Sequence, residues 1–154
     1  MNSQSLKDAG FTGWAALLGE GMADGVPELP GIYAVTYADG KPSRWPPTSC
    51  GGWHKGRDPS VPAAQLEREW VEDTDIVYIG KSDRTLSQRL QELARFGQGE
   101  AVAHWGGRMI WQLPRTELLT VSWLASAAAA RDEIKLLKTF MAEHGRLPFA
   151  NLRL

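Results

Sequence analysis

The chain has 154 residues, 43% of them apolar and 23% charged, with a net charge of −1. That length and balance suit one globular domain with its own core and give no global pull toward a membrane or a polyanion. The single cysteine, Cys50, excludes an internal disulfide and any multi-thiolate metal site.

The opening "MNSQSLKDAG" has no apolar leader. The longest near-apolar run, "WLASAAAA", is far short of the ~20 residues a spanning helix needs. A cytoplasmic protein is expected, with no membrane partner. Charge is unevenly spread: residues 1–78 carry six Lys/Arg against eleven Asp/Glu, and residues 79–154 carry eleven against seven. A basic second half can face a polyanion, and random scatter accounts for it equally well.

In chain order, Phe11, Trp14, Leu17 and Leu18 follow helical spacing and predict a short helix within an N-terminal helical extension, 1–29. Residues 31–37, "GIYAVTY", predict a strand. Residues 38–63 hold five prolines and four glycines, which marks a long irregular segment. It forms most of an insertion, 38–74, that closes with a short helix in "AAQLEREWVED". "DIVYIG" is a second strand. In "RTLSQRLQELARF", Leu86, Leu90 and Leu93 make one helical stripe, with Arg89 roughly 60° off its centre. "GQGEAVAHWGG" reads as a glycine-rich loop. "RMIWQL" and "LLTVSWL" are strand candidates. Ser126 and Gly145 bracket a long helix whose stripe is Ala130, Ile134, Leu137 and Met141, with Glu133 at its margin. The apolar tail "RLPFANLRL" is expected to pack. The elements predict an α+β fold: helices on a small, mostly antiparallel, three-stranded sheet.

Strand alternation puts Tyr33 with Val35 and Tyr37 on one face, and Tyr78 with Ile76 and Gly80. If those faces coincide, the two phenols are neighbours, and the bare Gly80 permits close approach.

"PGIYAVTY", "VYIGKSDRTLSQRL", "ARDEIKLL" and "LPFANL" together resemble the GIY-YIG nuclease domain across most of residues 30–152. Both triplets are present, followed in order by a helix arginine, a helix glutamate and a terminal asparagine. The separation differs from the family, whose triplets lie close together: here 44 residues, 34–77, intervene. The site of a histidine found in some restriction-type members is Leu93.

The resemblance implies a metal-dependent endonuclease acting on DNA, with Glu133 as the only protein carboxylate on one Mg2+ or Mn2+. It implies Arg89 as the phosphate clamp, Tyr33 as general base, Tyr78 as its partner and Asn151 as an anchor for the tail. A free phenol titrates near ~10, so a base role requires a nearby cation, and Lys81 is the candidate. His104 and Arg108 in the second loop, and Trp53, Lys55 and Arg57 in the insertion, are candidate substrate contacts. The tryptophans of the insertion, Trp45 and Trp53, can equally pin it to the body. A double-strand cut would require two visits or a homodimer. The alternative is a weakly active or inactive nucleic-acid-binding module on the same fold.

Overall fold

The computed structural model describes residues 1–154, and its core is one four-stranded antiparallel sheet. The elements are α1 Ser3–Asp8, β1 Thr12–Ala16, β2 Gly31–Tyr37, α2 Ala63–Glu69, β3 Ile76–Ser82, α3 Leu86–Gly97, β4 Leu119–Ala125 and α4 Ala129–His144. Strand order is β1-β4-β2-β3, so β2 is central and β3 is an edge. No helix is long and apolar enough to cross a membrane.

The α+β class is as expected, but the sheet has four strands rather than three. The segment expected to be helical, around residues 12–16, is β1, paired with β4. Gly13 takes φ +97° and Trp14 φ +55°, conformations no α-helix contains. Its apolar residues also part company. Phe11 joins the core on one face of the sheet and Leu17 the core on the other. A shared helical face is therefore replaced by a strand that covers the edge of β4. "RMIWQL" is the reverse case: Arg108–Gln112 is a 3-10 turn with Met109, Ile110, Trp111 and Gln112 all buried. A short run buried on every side fits a strand or a buried turn equally, so periodicity does not separate them.

Tyr33, Val35 and Tyr37 point into one core, with Leu86, Leu90 and Leu93 of α3. Ile32 and Ala34 point into the other, with Leu137 and Phe140 of α4. The β2–β3 register shifts between Val35 and Thr36, which pair with Tyr78 and Ile76. The bulge leaves Val77 and Tyr78 in the α3-side core and moves Ile76 to the α4 side. Ile76 is thus on the opposite face from Tyr78, contrary to simple alternation.

The insertion leaves the sheet without parting it. Tyr37 N–H still donates to Asp75 C=O (2.8 Å) where the chain returns. Buried Gln112 binds both arms of the excursion, donating to Pro46 and Val61 C=O and accepting from Val61 N–H, each at 2.9 Å. Trp45 stacks on Phe149 and meets Trp70 edge-on, so this tryptophan pins the insertion.

Candidate active site

Residues of β3 line two cavities of about 530 and 370 Å3. The larger is lined by Tyr78, Trp105, Arg108, Glu133, Leu137 and Asn151 among others. The smaller is lined by Tyr78, Lys81, Ser82, Asp83, Arg84, Arg89 and Glu133. Tyr78 and Glu133 belong to both, so the two cavities adjoin at these residues and are treated together as one groove beside β3.

The motif tyrosines are neighbours, with ring centroids 6.0 Å apart. They are diagonal rather than directly opposed: Tyr33 faces Gly80 and Tyr78 faces Val35. A Cβ at position 80 would lie 2.6 Å from the Tyr33 hydroxyl, so only glycine fits beneath that ring. Tyr33 is fully buried and lines neither half of the groove, whereas Tyr78 lines both.

Behind the phenols lies a residue from the glycine-rich loop. His104 Nε2 and the Tyr33 hydroxyl share a hydrogen bond of 3.0 Å. His104 is completely buried, and its Nδ1 has no partner. Burial first, then the positive charge of Arg89, lowers its pKa from 6.5 to about 3, so the imidazole is neutral. His104, a candidate substrate contact from the sequence, is buried against Tyr33 and lines neither cavity.

The Tyr33 pKa is raised well above that of a free phenol by burial, then by Tyr78, with Arg89 opposing. Tyr78 is raised too, again chiefly by burial, with Arg89 the largest opposing influence. With the protein's own groups alone, neither phenol is lowered below the free value. The cation at the phenols is Arg89 rather than Lys81. Lys81 pairs with Ile32, on the α4 face, and is ion-paired to Asp83; its charge falls on Glu133.

Arg89 lies against the stripe of α3, as its angle implies, with about a quarter of its side chain exposed. One of its nitrogens donates to Ala103 C=O (3.1 Å), just before His104, and contacts Glu92 at 3.4 Å. Arg84, by contrast, is engaged by both oxygens of Glu92 at 2.8 and 2.9 Å.

Glu133 is better placed than its sequence position suggests. The buried residues of α4 are Ala129, Leu137 and Phe140, while Ile134 and Met141 are exposed. The helix is therefore rotated relative to the expected stripe, and Glu133 stands between Ala129 and Leu137 on the buried i, i+4 line. The helix begins at Ala129 rather than Ser126. Ser126 Oγ instead accepts from Ala128 N–H and donates to Asp132. Burial raises the Glu133 pKa, opposed first by Lys81. The carboxylate has neither a hydrogen-bond nor an ion-pair partner, an expensive arrangement for a half-buried charge. No cluster of three His, Cys, Asp or Glu side chains exists; the carboxylates of the smaller cavity are Glu133 and Asp83, and Asp83 is ion-paired to Lys81. The unpaired Glu133 fits the role of a metal ligand.

Asn151 holds the tail to β3. Its Oδ1 accepts from Ile79 N–H (2.9 Å) and its Nδ2 donates to Ile79 C=O (2.8 Å). Across the groove, the insertion turns at Lys55 and Gly56, both with positive φ, between His54 and Arg57. This hairpin carries Arg57 to Trp105, beside Arg108. Trp53 is 56% exposed and anchors nothing. Trp105 and Gln112 carry no sequence signal that separates them from ordinary core and loop residues.

No protein-family model, curated protein or solved structure matches the chain.

Proposed function

We propose that the chain is a GIY-YIG-type endonuclease, metal-dependent and cytoplasmic, that hydrolyses DNA phosphodiester bonds. The observation that carries this reading is the unpartnered Glu133 at the junction of a groove shared with Tyr78, Lys81 and Arg89. A phenol, two cations and a single free carboxylate drawn from three elements are the groups that phosphodiester hydrolysis uses.

Glu133 would hold Mg2+ or Mn2+, an ion that keeps most of its water and needs few protein ligands. Bound there, it would supply Lewis-acid polarisation of the phosphoryl oxygen and stabilise the leaving oxygen. Arg89 offers a planar donor fork for the phosphate, where charge grows during the reaction. Lys81 adds positive charge at the same half of the groove. Tyr78 is the phenol that meets solvent. Protonated at neutral pH, it donates its O–H to a phosphate oxygen and orients the attacking water through its lone pair, and the proton that water loses passes to a non-bridging oxygen of the phosphate it attacks. Tyr33, sealed behind it, positions Tyr78 and is held by His104. One groove treats one strand per visit, so a double-strand break needs two visits or two copies.

The test is nicking of supercoiled plasmid in Mg2+ or Mn2+, wild type against Glu133→Ala. Wild type should produce open circles, and the variant should lose on the order of 10³-fold or more. No cleavage by wild type across duplex, branched and single-stranded DNA would refute the enzyme. Salt-dependent DNA binding without cleavage would leave a binding module on this fold.

A further inference from the structure

Arg57 and Arg108 both lie over the ring of Trp105, their guanidinium carbons 5.0 and 4.6 Å from its centroid. Neither has a carboxylate partner; the Arg108 side chain donates only to the Trp105 carbonyl, at 3.2 Å. Burial lowers the Arg108 pKa, and repulsion from Arg57 lowers it further. Two like charges gathered on one indole with no acid between them have the electrostatics of an anion site awaiting its anion.

The repulsion is not relieved by the loop swinging away. The 54–57 turn is closed by two backbone hydrogen bonds of 3.2 and 3.0 Å. Its approach is tied down where Gly52 N–H donates to Phe96 C=O (2.8 Å) and Cys50 N–H to Trp111 C=O (3.1 Å). Gln112 fixes the outer arms. These ties hold the hairpin so that Arg57 reaches Trp105, within electrostatic range of Arg108. Trp105 and Arg108 in turn line the larger cavity with Tyr78 and Glu133.

We propose that Arg57, Trp105 and Arg108 form a second phosphate subsite, which takes a DNA backbone phosphate flanking the one at Glu133. The identity of the anion rests on the nuclease reading of the groove. Trp105 is a rail for the two guanidiniums rather than a platform for a base. Exposed Trp53, at the foot of the same hairpin, remains free to stack on one. The insertion thus supplies half of a strand-holding device that a groove of Tyr78, Arg89 and Glu133 lacks.

The test is binding of a fluorescent DNA duplex across a salt series in EDTA, where no hydrolysis occurs, for wild type, Arg57→Gln, Trp105→Phe and Trp105→Leu. Arg57 is exposed, and an unchanged melting curve for Arg57→Gln verifies its fold. The slope of log K against log salt should fall by about 0.9 in Arg57→Gln, the value for one phosphate no longer neutralised. Trp105→Phe should keep the wild-type slope and Trp105→Leu should not. An unchanged slope in Arg57→Gln, or no duplex binding by wild type, overturns the subsite. So does an equal dependence on Arg57 for binding polyglutamate, which would mark a site for acidic protein. A slope change in a protein that cuts no DNA would retain the subsite and refute only the nuclease. Cleavage by wild type with no slope change would do the reverse.

Discussion

The central strand and the edge strand carry mirror-image triplets, Gly-Ile-Tyr in β2 and Tyr-Ile-Gly in β3, and both tyrosines are buried, Tyr33 completely and Tyr78 with 7% left exposed. β2 is paired on both sides, and Tyr33 is closed off by Gly80 beneath and His104 beyond. β3 is paired on one side only, and Tyr78 looks into both halves of the groove. Position in the sheet, rather than the triplet, decides which phenol meets water. The chemistry proposed for this groove therefore belongs to the edge strand, and the central strand is its backing.

The largest expected effect separates the two tyrosines directly. Tyr78→Phe should lower kcat/KM for nicking by about 10²- to 10³-fold, the range for losing a positioned proton-transfer or transition-state donor. Tyr33→Phe should cost roughly 10-fold, the scale of removing a group that only orients a working one. Steady-state nicking at one metal concentration measures both. A larger loss for Tyr33→Phe would reverse the assignment and make the buried phenol the reacting one.

The support behind Tyr33 has its own signature, in pH. His104 titrates near 6.5 when unfolded and at about 3 when folded. Between those values the unfolded chain binds more protons. Stability therefore falls as pH drops from 6.5 toward 3, by up to about 1.4 kcal/mol per pH unit. The charged and titratable groups facing the ring are Arg89, Tyr33 and Tyr78, and none of them changes charge in that window. Urea unfolding at pH 7 and pH 5 should show wild type losing up to about 2 kcal/mol more than His104→Gln loses over the same interval. Equal losses would mean that His104 is not held neutral, and the sealed region would not be sealed.

The contrast between the strands is only partly written in the sequence. Runs of β-forming residues in 31–37 and 76–79 and the leucine stripe of α3 set three elements correctly and place Arg89 at a core margin. The bulge that puts Val77 and Tyr78 on one face is a backbone event with no residue signature. The phase of α4 is ambiguous because Ile134 and Met141 compete with Ala129 and Phe140 for the buried side. Glu133 thus reads as marginal when it lies on the buried line. β1 is hidden because its partner strand, β4, is far away along the chain, Thr12 pairing with Trp123, and helical spacing is a local signal. His104, Trp105 and Gln112 owe their roles to where the insertion and loop land. A single His, Trp or Gln gives no clue to that.

The smallest expected effect asks what keeps an edge strand in place. Ile79 is fully buried, yet β2 cannot satisfy the backbone groups on its outer side. Asn151 answers both with one amide, donating to the carbonyl and accepting from the N–H as a neighbouring strand would. Ala150 N–H adds a third bond, to Val77 C=O at 2.8 Å. Asn151→Ala leaves a buried donor and acceptor unpaired unless water enters, at a cost of about 1–2 kcal/mol. Asn151→Asp keeps the acceptor for Ile79 N–H but sets a carboxylate oxygen against Ile79 C=O, so it should cost at least as much as alanine. Amide exchange at Ile79 should speed up in both variants, while exchange at Ala34 in β2 stays at the wild-type rate. Equal acceleration at the two positions would mean that the sheet opens as one unit and that the edge strand owes nothing particular to the tail. Acceleration confined to β3, with Tyr78-dependent nicking reduced in step, would make Asn151 a positioning residue that acts through the strand carrying the groove's phenol.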